Sequence, residues 1–317
     1  MKKEKRRFMR TTLIFILFVI VLLALFNAAY SWYVIPQKNI FKSEVQFAAT
    51  SEQNISILFF GDSHVARSVN PEFIPGSFNY AVPSEIYEQT FFKVRNVLEE
   101  GTTASIFVFP IDLHDFSMYR SAPYVDAWYW KTKMSYAELA RVSNNSLLGV
   151  AVKANFPFFG NGLEAWQLLA NPERTPVLQG WQANDADFSQ KSNRDAIGLA
   201  RAQKHFPAYP EIFNERLVKG FISTLELAKA HNKTIVFVAY PVSAEYLAGA
   251  QEVGITPEAF YATLNTLLER FAPDAYIFDY LTTYANQSVL FSDSDHLNVR
   301  GASTFSLDLN EDLETVR

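Results

Sequence analysis

Five short apolar runs, separated by segments with helical signals, constrain the fold of this chain more than any other feature of its sequence. Each run is rich in β-branched or aromatic residues, which favour strands. The runs occupy residues 55–60, 78–82, 104–109, 234–239 and 275–279. Strands that alternate with helices form parallel sheets covered by helices on both faces. The sequence therefore predicts an α/β fold with a mainly parallel five-stranded sheet.

Helix signals lie between the runs. Ser84 is a predicted N-cap, and Thr256 followed by Pro257 predicts another helix start. Apolar residues at i, i+4 spacing predict a helix over residues 211–230, and a closing helix begins at about Gly301. These helices supply the outer layers of the predicted sandwich.

Residues 115–206 carry no clear strand signal, and a stretch of this length is too long for a simple loop. We expect a largely helical insertion there. The insertion is rich in aromatic residues, namely Trp128, Tyr129, Trp130, Phe156, Phe158, Phe159, Trp166 and Trp181. These side chains either line a glycan-binding groove or form a small satellite core.

The amino terminus combines a basic cluster with a long apolar run. Residues 11–30 are almost wholly apolar, and at 1.5 Å per residue they span about the 30 Å of a bilayer core. Trp32 and Tyr33 follow where an interfacial aromatic belt belongs. A cleaved signal peptide is the alternative, but its apolar core is normally only about 7–15 residues long.

The predicted organisation follows from this anchor. Residues 1–10 form a cytoplasmic basic tail and residues 11–33 a single-pass membrane anchor. Residues 34–53 are a linker or a short juxtamembrane helix, and residues 54–317 form the extracytoplasmic α/β domain. The membrane is thus the first expected partner of the chain.

Composition excludes two classes of function. The formal net charge of −5 argues against a nucleic-acid partner, which normally selects a basic face. The chain has no cysteine, so disulfides, thiolate metal sites and a cysteine nucleophile are excluded.

Two distant segments carry residues suited to acyl transfer. Gly61, Asp62 and Ser63 follow the first predicted strand, and Asp293 precedes His296 by three residues near the carboxyl terminus. A serine hydroxyl needs a base within hydrogen-bond reach, and an Asp can orient that base and stabilise its imidazolium form. Alone, the Gly-Asp-Ser segment is equally typical of a turn or a helix cap.

Together, Gly61-Asp62-Ser63 and Asp293-x-x-His296 resemble the SGNH (GDSL-like) hydrolase superfamily. The anchor and the segment Phe-x-Asp-x-Asp-His-Leu-Asn-x-x-Gly-Ala most resemble extracytoplasmic proteins of polysaccharide O-acetylation and lipoteichoic acid D-alanylation. The resemblance implies a three-layer α/β/α sandwich of flavodoxin-like type, with Ser63 as nucleophile, His296 as base and Asp293 as its orienter. It implies no cofactor. It also implies a glycan or other acylated envelope substrate, and a membrane-bound O-acyltransferase as a possible partner.

Two positions depart from the superfamily pattern. The second oxyanion donor, beside the N–H of Ser63, is normally a glycine after strand two, and here the matching residue is about Ala81. The third block normally supplies an asparagine, whereas this chain has Asp112. An ionised Asp can only accept hydrogen bonds, so it cannot replace the asparagine as a donor. We therefore keep two functions open: an acyl esterase or O-acyltransferase, and a catalytically inactive binding partner of an O-acyltransferase or of a glycan.

Other polar residues near the motifs have weaker interpretations. His64, His114 and Asp112 are candidate substrate contacts. Asp295 is predicted to face solvent or accept a turn hydrogen bond, and His205 and His231 are predicted at the surface. A two-metal phosphoesterase site is the alternative for the Asp and His residues. We predict no metal, because the Gly-Asp-x-x-Asp and Gly-Asn-His-Asp/Glu segments of such enzymes do not occur in the chain.

Overall fold

A computed structural model of the chain describes residues 2–50, 55–121, 125–159, 176–207 and 212–317. Trp166, the boundary between residues 53 and 54 and the predicted helix start at Glu211 lie outside the described residues. The strands are β1 (Ile57–Phe59), β2 (Ser77–Asn79), β3 (Ile106–Pro110), β4 (Val177–Leu178), β5 (Trp181–Gln182), β6 (Thr234–Ala239) and β7 (Tyr276–Asp279).

The helices alternate with the strands as predicted. They are α1 (Lys2–Tyr33), α2 (Asn39–Thr50), α3 (Ser63–Ser68), α4 (Tyr87–Glu99), α5 (Ala127–Trp130), α6 (Tyr136–Ser143), α7 (Leu147–Asn155), α8 (Arg194–His205), α9 (Glu215–Ala230), α10 (Ala244–Glu252), α11 (Pro257–Phe271) and α12 (Val299–Leu313). Short 3₁₀ helices lie at Ile35–Gln37, Pro71–Phe73, Met118–Ser121, Phe188–Gln190 and Ser288–Leu290.

Five parallel strands form the central sheet in the order β2-β1-β3-β6-β7. This order is that of the flavodoxin-like doubly wound fold. Alternate residues of a strand point to opposite faces of the sheet. Leu58 and Phe60 accordingly pack into a core with α4, α9 and α11.

The other face of the sheet is covered by α3 and α12. Ile57 and Phe59 of β1 are fully buried there, together with Phe305 of α12. Helices on both faces make the domain an α/β/α sandwich, which confirms the predicted fold class. β6 coincides with its apolar run at residues 234–239, whereas the other four strands are one to three residues shorter than their runs.

Over its described residues, the insertion is largely helical, apart from the antiparallel pair β4–β5. Helices α5, α6 and α7 enclose a separate core that includes Tyr129 and Trp130. Trp130 is only 1% exposed. For these two aromatic side chains the structure supports the satellite core rather than a groove.

The segment before the domain packs against the domain. α2 packs Phe47 against Tyr80 with ring centroids 4.2 Å apart, and Lys133 forms an ion pair with Glu44 at 2.5 Å. The juxtamembrane helix, one of the two alternatives for residues 34–53, is therefore present over Asn39–Thr50. Among the described residues, α1 is the one helix long and apolar enough to cross a membrane, a test that a signal sequence also passes.

Candidate active site

The turn after β1 places Ser63 at the carboxyl edge of the sheet. β1 lies between β2 and β3, where the strand order reverses, and open α/β sheets bind ligands in the crevice at that point. Ser63 is the first residue of α3 and is half-buried. A polar side chain at this position is both supported by the sheet and open to the crevice.

Gly61 makes the turn possible. Its φ of +137° lies in a region that residues with a Cβ rarely adopt. A Cβ at this position would also lie 2.6 Å from Cγ2 of Val65 and 2.8 Å from Cγ of Pro110. The chain therefore needs glycine here to pass between β3 and α3.

Asp62 caps α3 and ties it to the loop after β3. Its Oδ1 accepts a hydrogen bond from the N–H of His64 at 2.9 Å. Its Oδ2 lies 3.0 Å from Nε2 of His114 and accepts a hydrogen bond from Nη1 of Arg120 at 2.7 Å. The residue beside Ser63 is thus held by two elements in addition to its own turn.

The loop that carries His296 is folded around Asp293. The carboxylate oxygen Oδ1 accepts hydrogen bonds from the backbone N–H groups of Asp295 at 3.1 Å and His296 at 3.0 Å. An Asx turn of this kind is a common use of aspartate in loops. Phe291 and Leu297, both fully buried, close the base of the loop with a backbone bridge.

Ser63, His296 and Asp293 form a continuous chain of contacts. Nε2 of His296 lies 2.9 Å from Oγ of Ser63, and its Nδ1 lies 2.8 Å from Oδ1 of Asp293. With the Nδ1–H donating to the carboxylate, Nε2 is free to accept the serine proton. The structure thus brings together three residues that are up to 233 positions apart.

Two arginines that the sequence interpretation missed border this chain. Nε of Arg201, on α8 of the insertion, donates to Oδ1 of Asp295 at 2.9 Å, and its Nη2 lies 3.6 Å from Oδ2 of Asp293. Nη1 of Arg67 lies 3.5 Å from the same Asp293 oxygen. Arg67 is four positions after Ser63 and so had a local signal, whereas the position of Arg201 has none in the sequence.

His64 was predicted as a substrate contact, and this is wrong because its ring is buried beneath Ser63. Its Nδ1 lies 2.9 Å from Oδ2 of Asp112, and its Nε2 lies 3.3 Å from Oδ2 of Asp295. Asp295, predicted to face solvent, is only 1% exposed. The buried imidazole therefore lies between two buried carboxylates.

Asp112 and His114 are likewise inaccessible, so their predicted contact with substrate is also wrong. Asp112 accepts a hydrogen bond from the N–H of Tyr240 at 2.7 Å, which leaves it facing the protein interior. The ring of His114 stacks on His205 with centroids 4.5 Å apart. His205 was predicted at the surface but is buried, and its Nδ1 lies 2.8 Å from the hydroxyl of Tyr246.

The N–H of Ala81, the candidate second oxyanion donor, already has an acceptor. It donates to Oδ1 of Asn79 at 3.2 Å. The amide of Asn79 in turn donates to the carbonyls of Val65 and Val69, both at 2.8 Å. By contrast, the N–H of Ser63 lies in the first turn of α3, where backbone donors have no intrahelical acceptor.

Burial and neighbouring charges give the histidines of this cluster two different protonation states. Burial alone would lower the pKa of His64, but Asp112, Asp295 and Asp62 outweigh it and raise that pKa well above its usual value. Burial lowers the pKa of His114 and lowers that of His205 further, and the neighbouring histidine charges act in the same direction. At neutral pH His64 is therefore cationic, whereas His114 and His205 are neutral.

Two carboxylates neutralise this buried charge. Burial would raise the pKa of Asp62, but Arg120 and His114 together hold it well below its usual range. The same balance, with His296 and His64 as the cations or donors, lowers the pKa of Asp295. The cluster under Ser63 is thus an ion network with both signs of charge.

In the part of the chain that the structure describes, three sets of buried side chains have donor atoms close enough to hold a metal ion. They are His64, Asp112 and His114; His64, Asp295 and His296; and Asp62, His114 and Asp115. In the first two sets both nitrogens of His64 already lie within 3.3 Å of a carboxylate oxygen. A metal in either of these sets would have to displace the proton of His64 and these contacts, because a metal ligand must be the neutral imidazole.

No protein-family model and no curated protein matches the chain. Solved structures that resemble it include a GDSL-like lipase from Bacteroides thetaiotaomicron, with 10% identity, a TM-score of 0.44, and coverage of 88% of this chain and 98% of that one. A proposed acylhydrolase from Bacteroides fragilis shows 13% identity, a TM-score of 0.41, and coverage of 87% and 98%. A Bacillus subtilis protein shows 12% identity, a TM-score of 0.38, and coverage of 83% and 57%. Identities of this size leave the chemistry to be argued from the side chains of this chain.

Proposed function

We propose that this chain is a membrane-anchored, extracytoplasmic serine acyl esterase or O-acyltransferase of the SGNH type, acting on cell-envelope or secreted glycans. The observation that carries the proposal is the contact chain from Ser63 through His296 to Asp293, with distances of 2.9 and 2.8 Å. Nucleophile, base and orienting carboxylate within such distances are the signature of nucleophilic acyl transfer.

In the first half-reaction Nε2 of His296 removes the proton of Ser63 as Oγ forms a bond to the acyl carbonyl carbon. Asp293 holds the proton on Nδ1 and stabilises the imidazolium. When the tetrahedral intermediate collapses, the bond from the carbonyl carbon to the ester oxygen breaks. The departing oxygen takes the proton from Nε2 and leaves as an alcohol, and the acyl group remains on Ser63.

In the second half-reaction an incoming hydroxyl loses its proton to Nε2 of His296 and attacks the acyl carbon. Oγ of Ser63 then leaves and recovers the proton. Water as the incoming group makes the protein an esterase, and a sugar hydroxyl makes it an O-acyltransferase. The two activities need the same three side chains, and they differ only in which hydroxyl occupies the crevice.

A cavity of about 180 Å³ lies between the juxtamembrane segment and the loop after β2, and we propose it as the place for the substrate. Lys38 and Asn39 line it from the juxtamembrane segment, and Val82 lines it from the loop. The N–H of Val82 donates to the carbonyl of Gly61 at 2.9 Å, which links this loop to the turn that carries Ser63. The polar side chains of Lys38 and Asn39 suit a polar ligand such as a sugar.

The membrane location rests on the apolar part of α1 and on the basic residues in its first turns. The helix has the length and apolar composition of a single span. The basic residues 2–10 favour a cytoplasmic amino terminus, because positively charged flanks remain on that side. The domain would then face outward, where a membrane-bound O-acyltransferase could supply acyl groups.

The test uses the full-length protein in lipid nanodiscs and a serine-directed fluorophosphonate probe. We expect the label on Ser63, with both labelling and acetyl-ester hydrolysis lost in Ser63→Ala. A triad knockout of this kind lowers kcat by about 10⁶-fold where measured. Ser56→Ala is the matched control, since Ser56 lies at the other end of β1 and donates only to the carbonyl of Gly76. Unchanged ester hydrolysis in Ser63→Ala, together with no label on Ser63, would contradict the proposal.

A second function is favoured by the oxyanion region. Asp112 is committed to His64 and Tyr240, and the N–H of Ala81 is committed to Asn79. Only the N–H of Ser63 then supports an oxyanion among these candidates. This arrangement suits a catalytically inactive partner that binds an O-acyltransferase or a glycan. In a deletion strain, glycan acylation restored equally by wild type and Ser63→Ala would favour this alternative.

A further inference from the structure

The segment from Leu147 to Phe159 in the insertion exposes an unusual amount of apolar surface. Its exposed side chains are Leu147 (57%), Leu148 (75%), Val152 (39%), Phe156 (44%) and Phe159 (39%). Single exposed apolar residues are normal, but contiguous patches mark interaction sites. We call these five side chains the apolar surface.

The helix in this segment, α7, has two apolar faces, of which one is buried and the other is exposed. Leu148 and Val152 lie one turn apart on the exposed side of α7, whereas Val150 and Ala154 are buried in the satellite core. The core therefore fixes α7 by one face and leaves a second apolar face exposed, with Leu148 75% and Val152 39% exposed. Ser146 is the N-cap of α7, because its side chain accepts a hydrogen bond from the N–H of Gly149.

The apolar surface is continuous with the proposed membrane anchor. Phe158 stacks on Phe26 of α1 with ring centroids 5.7 Å apart and meets Tyr30 edge-on at 6.2 Å. The side chain of Asn27 donates to the carbonyl of Asn155 and accepts from the N–H of Phe158, both at 3.3 Å. The carboxyl end of α7 is thus fastened to the outer end of the anchor.

These contacts determine how deep Phe158 lies in the membrane. Phe26 lies four residues before Tyr30, where the apolar run ends, and four residues of helix correspond to about 6 Å. Interfacial amphipathic helices lie about 5–10 Å deep in the boundary between headgroups and acyl chains. Phe158 therefore lies at the level at which an interfacial helix meets lipid.

The charges around the apolar surface fit the same environment. No Asp or Glu occurs between Glu138 and Glu164, so the segment itself carries no carboxylate that would oppose insertion. Lys153 on α7 is exposed, and Lys131 lies beside the end of α7 with its Nζ 3.4 Å from Oδ1 of Asn155. Lysine stems extend along apolar surface and place the ammonium group at the headgroups.

We propose that the apolar surface inserts into the outer leaflet and forms a second membrane contact beside α1. The proposal rests on the membrane anchor of the proposed function, and it adds a defined orientation. One helix lets a domain tilt relative to the membrane, whereas a second contact beside it restrains the tilt. The crevice with Ser63 is then kept at a fixed height above the bilayer, which suits a substrate held at the membrane.

The absence of cysteine in the chain makes a direct test simple. Single variants Leu17→Cys, Leu148→Cys and Leu307→Cys of the full-length protein would carry an environment-sensitive fluorophore in nanodiscs with brominated phosphatidylcholine. Leu17 lies in α1 and Leu307 lies on α12, and both are exposed (61% and 51%). We expect bromolipid to quench the probes at positions 17 and 148, and iodide in water to quench the probe at 307.

The three positions separate the possible failures. No lipid quenching at position 17 would overturn the anchor itself. Lipid quenching at 17 with iodide quenching at 148 would leave the anchor intact and overturn this inference. A probe at 148 protected from both quenchers would also overturn it, because a second copy of the chain would then cover the apolar surface.

A further variant tests whether apolar side chains cause the insertion. Leu148→Gln combined with Val152→Gln leaves the buried face of α7 unchanged, so we expect an unchanged thermal unfolding midpoint. A probe at Phe156→Cys should then lose at least half of its quenching by bromolipid. Full quenching in this background would show that α1 alone holds the segment at the membrane, and would overturn the proposal.

Discussion

The carboxylate of Asp293 both folds its loop and orients His296. It accepts two backbone hydrogen bonds and one from the imidazole. In Asp293→Asn the amide oxygen can still accept from the backbone, whereas its N–H₂ cannot accept from Nδ1. We expect the wrong tautomer of His296, and a loss of labelling at Ser63 of about 10⁴-fold with little change in stability. Labelling rates and urea unfolding measure the two effects.

Asp185→Asn is the control for this substitution. Asp185 is exposed, and it makes no hydrogen bond or ion pair with Asp293 among the described residues. Its labelling rate should equal that of the wild type. If Asp293→Asn labelled at the wild-type rate, Asp293 would be a loop-folding residue only, and the orienting role would be lost.

Gly61 allows a second test at the level of one residue. Gly61→Ala introduces a Cβ at φ +137° within 2.9 Å of three side-chain carbons. Gly101→Ala is its match, since φ is +80° there and nothing lies within 4 Å of the new Cβ. A left-handed conformation costs an alanine about 1–2 kcal/mol, and only Gly61→Ala adds the steric term.

We therefore expect Gly61→Ala to lower the free energy of unfolding by more than Gly101→Ala, by at least about 1 kcal/mol. Urea unfolding of the two variants measures the difference. Equal losses would mean that the turn relaxes around the new methyl group, and that the close packing of β1 against α3 is not required.

Side chains with a local motif could be predicted from the sequence, and those fixed by distant partners could not. Ser63, Asp293 and His296 stood out because their residue types and spacing are those of acyl transfer. His64 and Asp295 are equally close in sequence to those residues, but nothing local shows that they face each other at 3.3 Å. A polar residue alone does not reveal whether its partner is solvent or a buried charge.

At the scale of elements, α2 joins the anchor to the domain through the buried side chain of Phe47 and the ion pair of Glu44 with Lys133. Phe47 is 5% exposed and stacks on Tyr80, whereas Val45 on the same helix is 53% exposed. Removing a buried Phe side chain typically costs about 3–5 kcal/mol. We expect Phe47→Ala to release α2 from the domain while the sheet stays folded.

Hydrogen exchange measures this release. In Phe47→Ala the amides of Asn39–Thr50 should exchange faster, with those of β3 and β6 unchanged, and Val45→Ala should leave both groups protected. Faster exchange in β3 as well would mean that α2 is part of the cooperative core rather than an element docked on it.

Element types were more predictable than element ends. The Thr256 and Pro257 start signal is confirmed, with Thr256 accepting from the N–H of Ala259. The Ser84 cap is wrong: Ser84 has a φ of +66°, and the helix begins at Tyr87 with the Gln89 side chain bonded to the N–H of Ile86. The predicted cap Ser84 and the observed N-cap Ile86 lie two residues apart, and packing selects between them.

At the scale of the whole molecule, the parallel five-stranded sheet followed from the alternation of strands and helices, and its flavodoxin-like type from the family resemblance. The role of the insertion followed from neither. α8 of the insertion supplies Arg201 and His205 to the ion network under Ser63. The insertion is therefore part of the site rather than a detached lid. Periodicity predicts helices within it but carries no information on which side of the domain they pack.

This network makes stability depend on pH in two directions. His114 and His205 have lowered pKa values when folded, whereas an unfolded histidine titrates near pH 6.5. Below about pH 6.5 the unfolded chain binds protons that the native chain does not, so the free energy of unfolding falls as pH falls. His64 has a raised pKa when folded, so its stabilisation is fully present below about pH 6.5 and is lost as pH rises through that pKa.

We therefore expect maximal stability near neutral pH, with a decline on the acid side of at most about 1.4 kcal/mol per pH unit for each neutral histidine. Urea unfolding from pH 8 to pH 5 measures the curve. His205→Gln removes one of the two acid-side groups and should flatten that side, whereas His231→Gln should not, because His231 is exposed. An acid side as steep in His205→Gln as in the wild type would mean that His205 does not cause the acid-side loss. Asp62 and Asp295 cannot cause it above pH 5, because their pKa values are lowered when folded and their stabilising charge is lost only below about pH 4.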